Sequence, residues 1–295
     1  MSEETAVRLV ADARAELGEG PLWCPDRQVL FWVDIPAGAV HRFDPATGTD
    51  TVLPGDTGEP VACLARRASG GYLLATARRV LAFDGERIDA GGEIAWPLAN
   101  ETGTRLNDGK VDPAGRLWIG SNDQPEAVPR GHLFRIDPDA SVTEIDGPFV
   151  VSNGPAFSTD GTAMYFAESF AATIWRYPVD ASGNVGDRAV FARLPEGAGF
   201  PDGLTVDAEG FVWNAHWAGW RITRYAPDGT IDREIPIPAA NVTSCCFGGP
   251  DLATLYVTTA RVDTSDADLA RAPHAGGLFA LEPGVAGRVE PAFAG

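Results

Sequence analysis

One outline returns six times along this chain: a short strand, a turn carrying Asp or Gly, and a second strand rich in aromatic residues. The copies are Gly18–Asp34, Val61–Thr76, Asn107–Ser121, Ser152–Ser169, Pro201–Trp217 and Val242–Thr259. The fifth is the plainest. Leu204 and Val206 alternate before the turn Ala208-Glu209-Gly210, and Phe211 and Trp213 alternate after it. A period of two puts each pair on one face of a strand. A third strand follows every copy, at Ala39–Asp44, Val80–Phe83, His132–Asp137, Ile174–Tyr177, Ile222–Tyr225 and Leu278–Leu281. A weaker fourth usually comes next, as at Thr51–Leu53, Val142–Ile145 and Ile231–Ile235. Six four-stranded units in 295 residues match the blade length of a β-propeller. A β-sandwich or barrel is the alternative, disfavoured because the turn and third-strand motifs recur in one order. The expectation is an all-β, six-bladed propeller with four antiparallel strands per blade, forming one domain over residues 1–295. Val7–Val10 and Val289–Phe293 both read as fourth strands competing for the outer edge of the last blade.

Composition narrows the function. The net charge is −18, from 23 basic and 41 acidic residues. That argues against nucleic acid and anionic membrane as partners, and disfavours a highly anionic substrate unless a cation sits in the site. No run is long and apolar enough to span a bilayer. The N-terminus, MSEETAVRLVADAR, lacks a basic start followed by an apolar block, so no secretory signal is read. Cys24, Cys63, Cys245 and Cys246 are too few and too irregular for a disulfide framework and read as buried free thiols. A cytoplasmic setting fits both features.

In a propeller the first strand of each blade lines the central channel, so polar residues at the strand heads are where chemistry belongs. Glu19 lies between two glycines and before Pro21, serving either as a turn acid or as a channel carboxylate. Arg105 and Asn107 share a face in an extended segment. A fork of donors beside an amide suits a polyhydroxylated ligand, although Asn107 or Asp108 can equally cap the Asn-Asp-Gly turn. Asn153 is a turn former or a carbonyl ligand for a cation. Asp202 stands at the head of the fifth copy. The heads at Pro60–Leu64 and Asn241–Cys245 offer no clear ligand. Glu19, Asn153 and Asp202 make an oxygen-only set, which suits Ca²⁺, Mg²⁺ or Mn²⁺ and leaves Zn²⁺ or Fe²⁺ open as a working metal. No histidine sits in a structural zinc frame, and His216 reads as a core or rim residue. There is no G-x-S-x-G elbow, no dinucleotide fingerprint and no phosphate loop.

The strings Gly18-Glu19-Gly20-Pro21-x-Trp23, Arg105-x-Asn107-Asp108-Gly109-Lys110-Val111-Asp112-Pro113-x-Gly115-Arg116, Ser152-Asn153-Gly154 and Pro201-Asp202-Gly203 resemble the regucalcin (senescence marker protein)/gluconolactonase family, in order and over essentially the whole chain. That resemblance implies a six-bladed propeller with one catalytic divalent cation in its channel, held by Glu19, Asn153 and Asp202. It implies hydrolysis of a sugar lactone to the aldonic acid, with Asp202 also the base for the attacking water and Arg105 and Asn107 holding sugar hydroxyls. One stretch departs from the family pattern. After Trp118-Ile119-Gly120 the family often has Thr-Met, with an acid near the sugar in some members, and here Ser121-Asn122-Asp123 follows. A phosphotriester or aryl-ester hydrolase on the same fold, and a non-catalytic calcium-binding scaffold, are the competing readings.

Overall fold

The structure, a computed structural model, describes residues 6–89 and 91–295. Six sheets correspond to the six repeats, each built on four antiparallel strands. Blade 1 runs outward as Gly18–Cys24, Val29–Asp34, Ala39–Asp44 and Thr49–Val52, and blades 2 to 5 follow the same order. Blade 6 differs. Its three inner strands are Asn241–Gly248, Thr254–Ala260 and Leu278–Leu281, and its outer edge is the first strand of the chain, Arg8–Ala11. The ring is therefore closed by pairing the start of the chain with its last blade.

The second terminal segment goes elsewhere, which corrects the expectation for Val289–Phe293. Arg8–Ala11 already occupies the edge, and residues 286–295 cross the end of the channel instead. Gly287 N donates to Leu252 O of blade 6 (2.8 Å), and Ala286 O accepts from Ala208 N of blade 5 (3.0 Å). Arg288 donates to Phe157 O of blade 4 (3.0 Å), and Glu290 pairs with Lys110 of blade 3 (2.9 Å). Ala292–Phe293 then adds in parallel to the inner strand of blade 2, Val61–Arg67. Phe293 is fully buried among core residues of blades 2 and 3.

The repeated aromatics fill the space between blades. Trp32, Trp118 and Trp213, all on second strands, are fully buried, and truncating any of them costs about 3–5 kcal/mol. The turn acids explain part of the repeat. Asp112 accepts from Trp118 Nε1 (2.8 Å) and Arg116 Nε (2.6 Å), and Asp207 does the same for Trp213 Nε1 (2.9 Å) and Arg224 Nε (2.8 Å). Cys245 and Cys246 are free and buried in separate core clusters, as adjacent strand residues on opposite faces must be.

One irregularity recurs in all six blades. The pairing of inner and second strand slips by one residue between Glu19 and Leu22, Val61 and Cys63, Leu106 and Gly109, Asn153 and Ala156, Pro201 and Leu204, and Val242 and Ser244. A β-bulge breaks strict alternation and re-aims the side chain beside it. Six bulges at one level make a ring of re-aimed positions around the channel.

Candidate active site

At that level a cavity of about 330 Å³ opens into the channel. Glu19, Asn107, Asn153 and Asp202 line it, together with Arg105. The first four are buried, with 5–7% of their surface exposed, and each stands at or next to a bulge. The sequence-derived set is thus brought to one wall from blades 1, 3, 4 and 5. Blades 2 and 6 contribute no residue from the heads of their inner strands. Gly20, in the left-handed region at φ +52°, lets that backbone pass Cys63 of blade 2, where a Cβ would come within 3.3 Å of its Cα.

A chain of hydrogen bonds ties the polar residues together. Arg105 Nη1 donates to Asn107 Oδ1 (2.6 Å), and Asn107 Nδ2 donates to Asn153 Oδ1 (2.8 Å) and Ser152 O (2.9 Å). Asn153 Nδ2 donates to Ser169 Oγ (2.9 Å), which donates to Pro201 O (2.8 Å), the residue before Asp202. Asn107 uses both ends of its amide inside the protein. Arg105, also paired with Glu126 (3.4 Å), keeps N–H groups for a ligand.

The two carboxylates are less well provided. Glu19 Oε2 accepts from Gly20 N (2.8 Å), while Asp202 Oδ1 is buried without a partner. Burial, then the nearby Asp108 charge, pushes Glu19 up to about 8. Burial, then the charges of Glu19 and Asp108, holds Asp202 well above the usual carboxylate range. Acids pushed up by burial and by neighbouring carboxylates in this way favour the protonated form unless positive charge enters. The donor set therefore fits a hard cation: two carboxylates with unspent oxygens and the amide oxygen of Asn153. Among the described residues no cluster of three His, Cys, Asp or Glu side chains forms a metal site; the set here is two acids and an amide.

Sequence reasoning missed several groups. Asp108, read only as a candidate cap for the Asn-Asp-Gly turn, does accept from Gly109 N (2.8 Å) and also from Gly154 N (3.2 Å), but it is in addition a third buried acid beside the pair, pushed up to about 6 chiefly by burial. Glu126 and Asp263 reach the cavity from loops, and no local pattern marks loop residues for a channel. Asn122 lines it too, and the departure at Ser121-Asn122-Asp123 was the one hint of it. Phe170 and Phe200 stack at the rim with ring centres 5.9 Å apart. His216 is a buried residue outside the cavity lining, its Nδ1 3.0 Å from Ala198 O, and burial lowers it to about 4.

Comparison with known proteins agrees with this architecture. The family model described as the SMP-30/Gluconolactonase/LRE-like region matches residues 17–261. The chain is 39% identical to a 6-deoxy-6-sulfogluconolactonase of Pseudomonas putida, covering 95% of each chain. It is also 39% identical to the pentonolactonase XacC of Haloferax volcanii, covering 96% of this chain and 97% of that one. Among solved structures, the calcium-binding protein regucalcin from Agrobacterium tumefaciens superposes with a TM-score of 0.90 at 30% identity, covering 98% of both chains. Six blades, an oxygen-lined channel and matches spanning nearly the full length lead to one assignment: the chain belongs to the SMP-30/gluconolactonase/LRE-like family.

Proposed function

We propose that this protein hydrolyses an uncharged sugar lactone to its aldonic acid, using a divalent cation held by Glu19, Asn153 and Asp202. The observation that carries the reading is the pair of buried carboxylates, Glu19 and Asp202, with an unpartnered oxygen on Asp202, set beside a guanidinium that has donors to spare. The lactonase names of the relatives support the same reaction class.

A divalent cation bound there supplies Lewis-acid polarisation of a carbonyl oxygen. With positive charge in the oxygen set, the repulsion from Glu19 falls away and Asp202 ionises, as a base must. Asp202 takes a proton from the water whose oxygen bonds to the lactone carbonyl carbon. The ring C–O bond then breaks, and the proton passes from Asp202 to the departing ring oxygen, leaving an open-chain hydroxy acid. Arg105 orients the ring through its hydroxyls. Asn107 fixes Arg105 and Asn153 in place, and its Oδ1 keeps a second lone pair that can accept from a sugar hydroxyl.

Charge favours a neutral substrate. With Glu19 and Asp202 matched by the divalent ion, Glu126 and Asp263 remain on the cavity wall against Arg105, so an anionic substituent is opposed while the aldonate product is helped to leave. The test is a pH-indicator assay on pentono- and hexonolactones after chelation, with Ca²⁺, Mg²⁺, Mn²⁺, Zn²⁺ and Fe²⁺ returned singly. Turnover that vanishes on chelation and returns with one of the metals is expected. Turnover indifferent to chelation, or none with any metal, would overturn the proposal.

A further inference from the structure

Asn122 is almost wholly buried, at 1% exposure, and lines the cavity. It lies directly across the strand pair from Arg105, so both side chains leave the sheet on one face. Its amide can point only one way. Asn122 Oδ1 accepts from Ser152 N (2.8 Å) and lies 3.1 Å from Ser152 Oγ. A backbone N–H can only donate, so the amide cannot be turned over without setting two donors against each other. Ser152 Oγ also lies 3.0 Å from Ser121 O, and its single hydrogen serves one of the two oxygens, so it is the backbone N–H that fixes the amide. The clamp leaves Asn122 Nδ2 buried with no partner.

A buried donor left unmatched is costly, and native proteins keep few of them. Here the group is oriented by the backbone hydrogen bond to its other end and borders the cavity, from which a partner can arrive. We infer that Asn122 is a substrate-reading residue: its Nδ2 donates to a hydroxyl oxygen of the sugar ring, beside the hydroxyls met by Arg105. This rests on the lactonase reading for the substrate and adds the residue that selects among lactones. A site built to donate one hydrogen bond discriminates strongly against an analogue lacking the acceptor, because the donor is then left desolvated and unpaired.

The test uses Asn122→Asp, which keeps an oxygen toward Ser152 and replaces the donor with an acceptor, and Asn122→Ser as a second variant. Thermal midpoints of both are compared with the parent. For the best neutral lactone, KM is expected to rise roughly tenfold to a hundredfold, as for loss of one buried hydrogen bond, with kcat changed less than about threefold. Against the series of monodeoxy lactones, one analogue should be bound equally by parent and variant, and it names the hydroxyl that is read. A direct arm titrates the matching free sugars by calorimetry, and the parent should bind them more tightly than either variant. Parent-like KM and sugar binding in a folded Asn122→Asp protein overturns the inference, as does a parent that binds none of the sugars. If the parent hydrolyses no lactone, the lactonase reading fails and the calorimetric arm alone decides the role of Asn122.

Discussion

The two ends of the inner strand of blade 5 hold one acid each, and they are treated in opposite ways. Asp207, just past the far end, is fully buried and has spent its lone pairs. Oδ1 accepts from Glu209 N (2.9 Å) and Phe211 N (3.0 Å), and Oδ2 from Trp213 Nε1 (2.9 Å) and Arg224 Nε (2.8 Å). Asp202, at the cavity end, is as deeply set but keeps Oδ1 unpartnered and faces other acids. The channel as a whole repeats the contrast. At its far end Lys110 meets Glu290 at 2.9 Å. Burial works against that ammonium, yet the carboxylates of Glu290 and Asp108 outweigh it and raise it above its ordinary value. A buried acid whose every lone pair is used holds the fold together. One left short of partners marks the place where something else is meant to bind.

The contrast can be broken most sharply with one substitution at each end. Asp202→Asn should cut kcat on the order of 10³-fold, the usual scale for a general base, while the chelated protein melts no lower than the parent, because the amide removes an acid that burial and its neighbours disfavour. Assays and melting curves on the same preparation check both halves. Asp207→Asn should do the reverse. It should lose about 3 kcal/mol of stability, toward the lower end for a broken buried pair because Glu209 and Asp232 still hold Arg224. Its folded fraction should keep kcat/KM within a few-fold of the parent. Parent-like stability there would undo the structural half of the comparison. Arg105→Ala comes next, with KM up roughly tenfold for loss of a charge-assisted hydrogen bond and kcat less affected. An unchanged KM counts against sugar contact.

The most gradual effect is a drift with pH. Glu19 rises from an ordinary value of 4.5 to about 8 in the folded protein. Its contribution to stability is therefore whole below about 4.5 and is lost as pH climbs through about 8, because the folded state binds the extra proton. The chelated protein should melt progressively lower across that window, and Glu19→Gln should flatten the slope. A slope identical in the two proteins would remove Glu19 as its source.

Much of this was legible in the sequence because it is local. The turn acids, the alternating aromatics and the strand heads are each written within about ten residues, and they fixed six blades and the wall formed by Glu19, Asn153 and Asp202. What escaped depends on distant chain. Val289–Phe293 alternates like any edge strand, and only the prior claim of Arg8–Ala11 on that edge sends it across the channel. Glu126 and Asp263 lie on loops with no period to read. The Nδ2 group of Asn107 is spent on Asn153 and Ser152, residues more than 40 positions away, which leaves only its Oδ1 to face a sugar.

One divalent cation is proposed for the unsatisfied end of the channel. Calorimetric titration of the chelated protein with each candidate metal, at two pH values on either side of 7, tests it most directly. The expected result is one saturable site per chain, tighter at the higher pH because binding displaces protons, and weakened by at least roughly tenfold in Glu19→Gln, the cost of disturbing even a residue behind a ligand. Absence of saturable binding, or equal affinity in parent and Glu19→Gln, would contradict it.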